Sequence, residues 1–268
     1  MKYMKYSFFY IPFTYNIVTR LISTKKIISW VIIYILPTLY IFLHYSEINV
    51  ETLWTYFLGV SLIYNFYEVG YIQNDAETIK KESKPTMRLS RDQLDYYESN
   101  KYKIYLYRFI LGNVLLYFLF LLNQKDNLKG FALFLISSFF ILILYQVYNR
   151  IRNIYNLVLH FLLVCIRFLS IIIIAKNKVP FVEFLFLLFV FPVSNLIERG
   201  SDLRFNVKLF TKIIPNEKYI AKSRVTFYFV VFLLGLFLNY FFNLECEWIL
   251  KIYIIAFVYR VSNLFIEK

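Results

Sequence analysis

Long apolar stretches alternate with short polar segments along most of this chain. Eight of these stretches have about 17 to 22 residues, the length with which a helix crosses roughly 30 Å of hydrocarbon. They lie near residues 27–44, 52–73, 104–123, 131–148, 154–175, 181–197, 225–242 and 248–266. Their hydrophobicity is continuous and does not alternate, which excludes the strands of a membrane barrel. The pattern predicts an all-α polytopic membrane protein with about eight transmembrane helices in a single domain, residues 1–268.

The composition supports a membrane protein. Hydrophobic residues make up 60% of the 268 residues and aromatic residues 22%. Too few polar side chains therefore remain to cover a soluble core of this size. The net charge of +13 raises the question of a nucleic-acid partner, which the distribution of the basic residues answers.

Basic residues concentrate in alternate loops. Most of them lie in the N-terminal region, in residues 74–103 and in residues 198–224, whereas "SEINVET" and "NLECE" contain none. Such alternation is the signature of membrane topology, because basic loops stay in the cytoplasm. We expect a multi-pass protein of the plasma membrane with both termini and both long loops in the cytoplasm, and no nucleic-acid partner.

The chain contains a weak internal repeat. A shift of 120 residues superimposes the predicted spans of residues 27–148 on those of residues 154–266 and aligns their polar positions. The aligned pairs are Asp75 with Asn195, Thr78 with Glu198, Glu82 with Asp202, Lys84 with Arg204, and Arg88 with Lys208. This register predicts two four-helix halves.

The acidic and amide positions of each half are spaced i, i+3, i+7, which places them on one face of a helix. Oxygen ligands at two converging helix ends, with cations just beyond, suit a diphosphate bound through Mg²⁺. The pattern predicts diphosphate-binding cations at Lys84, Arg88, Arg204 and Lys208. For any single acidic residue, a solvated helix end with i, i+4 ion pairs remains the alternative.

Further charged residues lie within predicted spans, among them Glu68, Arg108 and Arg167. Glu68 extends the first acidic stripe deeper into the membrane, where an ionised side chain needs a wet cavity or a partner. This predicts a central cavity, open to the cytoplasmic side, that includes Glu68. Arg108 is expected to reach the nearby membrane surface. Arg167 is expected to pair with Glu183 as a structural bridge, with a role toward the substrate as the alternative.

These residues resemble the UbiA superfamily of intramembrane prenyltransferases, whose members carry an N-D-x-x-D-x-x-x-D motif after the second helix and a D-x-x-D-x-x-x-D-like motif after the sixth. The corresponding stretches are "NDAETIKKE", residues 74–82, and "NLIERGSD", residues 195–202. The stretches "YNIVTRLISTKKIISW" and "LYQVYNRIRN" are also similar to the family. The resemblance therefore covers most of the chain.

The resemblance implies Mg²⁺-dependent transfer of a polyprenyl group from a prenyl diphosphate to an unidentified acceptor in the membrane lipid, with release of pyrophosphate. The implied metal ligands are Asn74, Asp75, Glu82, Asn195, Glu198 and Asp202. The implied catalytic residues are Asp75, Glu82, Glu198 and Asp202. Aromatic walls would accommodate the isoprenoid, and Tyr67, Tyr71 and Tyr145 are the candidates nearest the motifs.

Another class of function stays open. Thr78 and Asn195 stand where the family carries acidic residues, which favours a non-catalytic protein that binds or transports a polyprenyl lipid with a degenerate metal site. A phosphotransferase acting on lipid alcohols is a third alternative, but the chain lacks the D-G-x-x-A-R pattern of the CDP-alcohol type. Release of pyrophosphate from a prenyl diphosphate separates the enzyme from the binding protein.

Overall fold

Helices form every regular element in the described part of the chain. A computed structural model of the protein describes residues 4–81, 86–123, 127–177, 179–242 and 247–266. The α-helices are α1 (Thr14–Thr19), α2 (Thr24–Trp30), α3 (Leu36–His44), α4 (Val50–Ala76), α5 (Arg91–Asn123), α6 (Leu128–Arg150), α7 (Tyr155–Ile173), α8 (Phe181–Val190), α9 (Pro192–Ser201), α10 (Lys208–Ile213), α11 (Ile220–Phe242) and α12 (Glu247–Ile266). Short 3₁₀ helices occupy Met4–Phe9, Thr78–Lys81 and Glu217–Tyr219, and a π-helical stretch, Val31–Ile35, joins α2 to α3. The predicted all-α class is confirmed for these residues.

The described residues contain six helical segments that are long and apolar enough to cross a membrane. They are Thr24–His44, Arg91–Asn123, Leu128–Arg150, Tyr155–Ile173, Glu217–Phe241 and Glu247–Phe265. Helices α8 and α9 together make a seventh if they are one span bent by 41°. The bend coincides with Pro192, which lacks a backbone N–H and so starts a new helix readily. The chain is therefore a multi-pass membrane protein, with fewer clear spans than the eight predicted.

Helix α4 is the central helix of the first half and packs against α5, α6 and α7. It begins after Asn49, whose side chain accepts a hydrogen bond from the Thr52 amide at 2.8 Å. Its 27 residues extend about 40 Å at 1.5 Å per residue. However, buried polar residues such as Asn65, Glu68 and Asp75 lower its hydropathy. For this reason α4 is absent from the six apolar spans.

Residues 4–20, the N-terminal segment, fold back over one end of α4 and α5. A positive φ of 71° at Phe13 reverses the chain between its 3₁₀ helix and α1. The Arg108 side chain donates to the carbonyl oxygen of Phe9 at 2.9 Å and to that of Ile11 at 3.3 Å. Glu68 accepts the Asn16 amide at 2.7 Å. The two helices thus hold the segment by its backbone.

Glu68 and Arg108 also pair with each other. Their charged groups lie 3.0 Å apart and both side chains are 0% exposed. The expectation that Arg108 reaches the membrane surface is therefore wrong, because carbonyl groups of the N-terminal segment and Glu68 solvate its guanidinium inside the protein. Glu68 has a fixed partner and does not line the central pocket described next.

Candidate functional site

A polar cavity of about 350 Å³, the central pocket, lies where α4, α6, α7 and α9 meet. The lining residues are Arg20, Tyr71, Asn74, Ile79, Thr86, Arg88, Tyr145, Tyr148, Arg152, His160, Arg199, Asp202 and Arg204. Five of them are arginines and one is a carboxylate. The pocket is therefore suited to an anion that carries several negative charges.

The central pocket brings together residues from both predicted motifs. Asn74 comes from the end of α4, and Asp202 directly follows α9. Four further predicted residues line the same cavity, namely Arg88, Arg204, Tyr71 and Tyr145. Glu82 and Lys84 lie outside the described residues. Lys208 is exposed at the start of α10 and is not one of the lining residues.

Asp75 lies at the edge of the pocket, fully buried and enclosed by donors. Its carboxylate accepts bonds from both terminal nitrogens of Arg20, at 2.6 and 3.0 Å. Arg88 donates at 3.2 Å and the Tyr15 hydroxyl at 3.1 Å. The two arginines compensate this buried charge, so Asp75 in this structure acts as an anchor for them.

The charge states of the groups around Asp75 follow from this arrangement. Burial acts to lower the pKa of Arg20, but the charge and hydrogen bonds of the Asp75 carboxylate, together with the nearby tyrosines, outweigh burial and the net pKa is raised. Burial, together with the same carboxylate, raises the pKa of Tyr15 well above its ordinary value. Arg20 is therefore a permanent cation and Tyr15 a neutral hydrogen-bond donor.

The second motif divides between two cavities. Glu198 accepts two bonds of 2.7 Å from Arg224 of α11 and faces away from the central pocket. Asn195 contacts the His160 ring, with 2.9 Å between Oδ1 and Nε2. Asp202 follows the last residue of α9 and is not helical, so it does not share a helix face with Glu198. The three side chains therefore do not converge as their spacing predicts.

The floor of the pocket consists of tyrosines. The rings of Tyr67, Tyr71 and Tyr145 pack edge-to-face, with centroids 4.9 to 5.9 Å apart. Gly70 permits this packing, because an added Cβ would lie 2.1 Å from the Tyr145 ring. The floor is apolar in its ring faces and polar in its hydroxyl groups.

Arg167 lies beneath this floor. Its guanidinium is 4.4 Å from the Tyr67 ring centroid and donates to the Tyr71 hydroxyl at 3.2 Å. It also faces the rings of Tyr34 and Tyr64, at 5.2 and 5.9 Å. Tyrosine rings thus provide the cation–π surroundings of a positive charge deep in the helix bundle.

The side chains that could ligate a metal in the described residues do not fit a magnesium site. Those residues contain no group of three or more His, Cys, Asp or Glu side chains close enough to hold a metal ion. In the pocket, Asn74 and Asp202 offer oxygen ligands, while Asp75 is engaged by Arg20 and Arg88. Mg²⁺ prefers a compact set of oxygen ligands. The arginines fit a phosphate-bearing ligand directly.

Sequence reasoning overlooked several of the pocket residues. Arg20, Arg152 and Arg199 stand far apart in the chain. Only the packing of α1, α6 and α7 against α4, and of α9 against α7, brings them together. The available signal was the pair of family-like stretches around Arg20 and Arg152. His160 of α7 also lines the pocket.

Comparisons of the chain with protein-family models, characterised proteins and solved structures found no match. The resemblance to the UbiA superfamily therefore stays a prediction from the two motifs.

Proposed function

We propose that this protein binds the diphosphate of a prenyl diphosphate in the central pocket and transfers its prenyl group to an acceptor in the membrane. The observation that carries the proposal is the meeting of both motif ends with five arginines above a tyrosine floor. Arginine forms bidentate hydrogen bonds with phosphate oxygens. The apolar faces of Tyr71 and Tyr145 suit the first isoprene units. The basic loops would face the cytoplasm.

The arginines also suit the bond-breaking step. Ionisation of the allylic C–O bond leaves the bonding electron pair on the departing diphosphate. The acceptor then forms a bond to the allylic carbon and loses a proton. Fixed cations lower the barrier because they stabilise charge that develops on the diphosphate. Arg199 and Arg204 would supply this stabilisation, so no step in the proposal requires a metal ion.

Magnesium dependence separates this proposal from the one implied by the resemblance. If the arginines suffice, pyrophosphate release persists in excess chelator. Reversible loss of release in chelator would instead indicate Mg²⁺, held by Asn74 and Asp202 together with residues such as Glu82 outside the described part.

The experiment uses membranes that contain the full chain and farnesyl diphosphate that carries separate radiolabels in its prenyl and diphosphate groups. We expect labelled pyrophosphate and a new labelled lipid. Replacement of Arg204 with Gln should lower this turnover by about 10²-fold, by analogy with the loss of one strong electrostatic stabiliser. Its side chain is exposed, so unfolding should be unaffected.

Arginine variants supply the matched control. Arg199→Gln in the pocket should weaken farnesyl diphosphate binding. Arg91→Gln removes the same charge from an exposed site outside the pocket and should not. Equal binding by both variants would contradict the proposed location of the diphosphate.

A non-catalytic polyprenyl-lipid binding or transport protein is the second candidate. The specific observation in its favour is that Arg20 and Arg88 already occupy the carboxylate of Asp75, the residue that best matches a catalytic position. Tight binding of farnesyl diphosphate without pyrophosphate release, in membranes that supply native acceptors, would favour this function.

A further inference from the structure

A second cavity lies apart from the central pocket. This second cavity has a volume of about 590 Å³ and lies between α9, α10 and α11. Helix α9 separates the two cavities, because its Glu198 lines the second and the adjoining Asp202 lines the central one. The proposed prenyl transfer makes no use of the second cavity.

The wall of the second cavity is apolar along the depth of one membrane leaflet. Phe227, Val230 and Leu234 follow one another along α11, and Phe189 of α8 faces them. Leu234 is ten residues beyond Arg224, which corresponds to about 15 Å along a helix. This length equals half of the roughly 30 Å hydrocarbon core. The wall therefore matches the acyl chains of a single leaflet.

The rim of the second cavity is basic. Lys212, Lys222 and Arg224 line it, with Glu198 as the one carboxylate. Arg224 engages both Glu198 oxygens at 2.7 Å, so that carboxylate is neutralised within the rim. Both lysines are exposed, and within the described residues the structure shows no ion pair for either. Their charges remain available to a ligand.

We infer that the second cavity binds one anionic phospholipid, with its headgroup phosphate at the lysine rim and an acyl chain along α11. A basic rim above an apolar wall matches the charge and length of such a lipid, whereas a zwitterionic headgroup would bring its own cation to the lysines. Each basic residue near anionic lipid contributes about 1 kcal/mol to the free energy of binding, which corresponds to roughly a fivefold factor in affinity. This inference is independent of the proposed prenyl transfer.

The test is native mass spectrometry of the full chain in detergent, titrated with dioleoyl phosphatidylglycerol or dioleoyl phosphatidylcholine. We expect at least tenfold stronger retention of phosphatidylglycerol. The double variant Lys212→Gln, Lys222→Gln should lose most of this preference. The control Lys103→Gln, Lys218→Gln removes the same charge from exposed positions outside the cavity and should keep it.

A third variant tests the ion pair. Glu198→Gln releases Arg224 for the headgroup, so retention of phosphatidylglycerol should increase, which a merely damaged fold would not produce. Equal retention of the two lipids, or equal losses in the rim and control variants, would overturn the inference. Displacement of the lipid by millimolar glycerol 1-phosphate would reassign the rim to a soluble phosphate ligand.

Discussion

Buried charged side chains organise this protein at the scale of single residues. An ionised group in the hydrocarbon region costs several kcal/mol unless it has partners. Glu68 and Arg108 partner each other, Asp75 holds Arg20 and Arg88, and Arg167 lies against tyrosine rings. Each of these groups holds together parts of the chain that are distant in sequence. Replacing one of them therefore tests how the fold is stabilised.

Replacement of Asp75 with Asn should destabilise the protein by about 3–5 kcal/mol, because Arg20 is left buried without its carboxylate. Arg20→Gln should also be destabilising by itself. The double variant should lose less unfolding free energy than the sum of the two single losses. Equilibrium unfolding in detergent measures all three variants. Strict additivity would show that the pair contributes no coupling energy.

At the scale of elements, the N-terminal segment depends on one ion pair in α4 and α5. Glu68→Gln should loosen the N-terminal segment and speed hydrogen exchange across residues 8–16, since the buried Arg108 loses its counter-charge. Glu47→Gln is the matched control, because its pair with Lys176 is exposed and such pairs contribute about 1 kcal/mol or less. Unchanged exchange in Glu68→Gln would contradict this role.

The contact between α4 and α6 depends on Gly70. Gly70→Ala should lower the unfolding temperature and displace the Tyr145 ring, which an added Cβ would meet at 2.1 Å. Gly235→Ala is the control, since its Cβ would meet the flexible end of Leu250 at 2.6 Å and needs a smaller adjustment. If Tyr145→Ala restores the stability of Gly70→Ala, the clash is the cause.

Helix positions were more predictable than helix partners. The apolar stretches correspond well to α5, α6, α7, α11 and α12 because length and hydropathy are local properties. The break between α8 and α9 was missed, although Pro192 was the signal for it. The direction of Glu198 depends on Arg224, 26 residues away, and the donors around Asp75 depend on the folded N-terminal segment. Periodicity carries no information on such pairings.

At the scale of the whole molecule, α4 decides the topology. Its polar residues keep it out of the apolar spans, yet its 27 residues are enough to cross the hydrocarbon core. In a cysteine-free background, Cys at Ile48 and Cys at Ser90 should be labelled from opposite sides by a membrane-impermeant maleimide. Both positions are exposed. Labelling of both from one side would show that α4 does not cross.

The central pocket can form only after much of the chain has been synthesised. Phe9 leaves the ribosome early, but its partner Arg108 follows 99 residues later. At about 5–20 residues per second, the beginning of the chain waits roughly 5 to 20 seconds before α5 exists to hold it. Arg20 cannot settle on Asp75 in its final place until then. Any chaperone or fused tag that binds the nascent N-terminus during this interval competes directly with completion of the pocket.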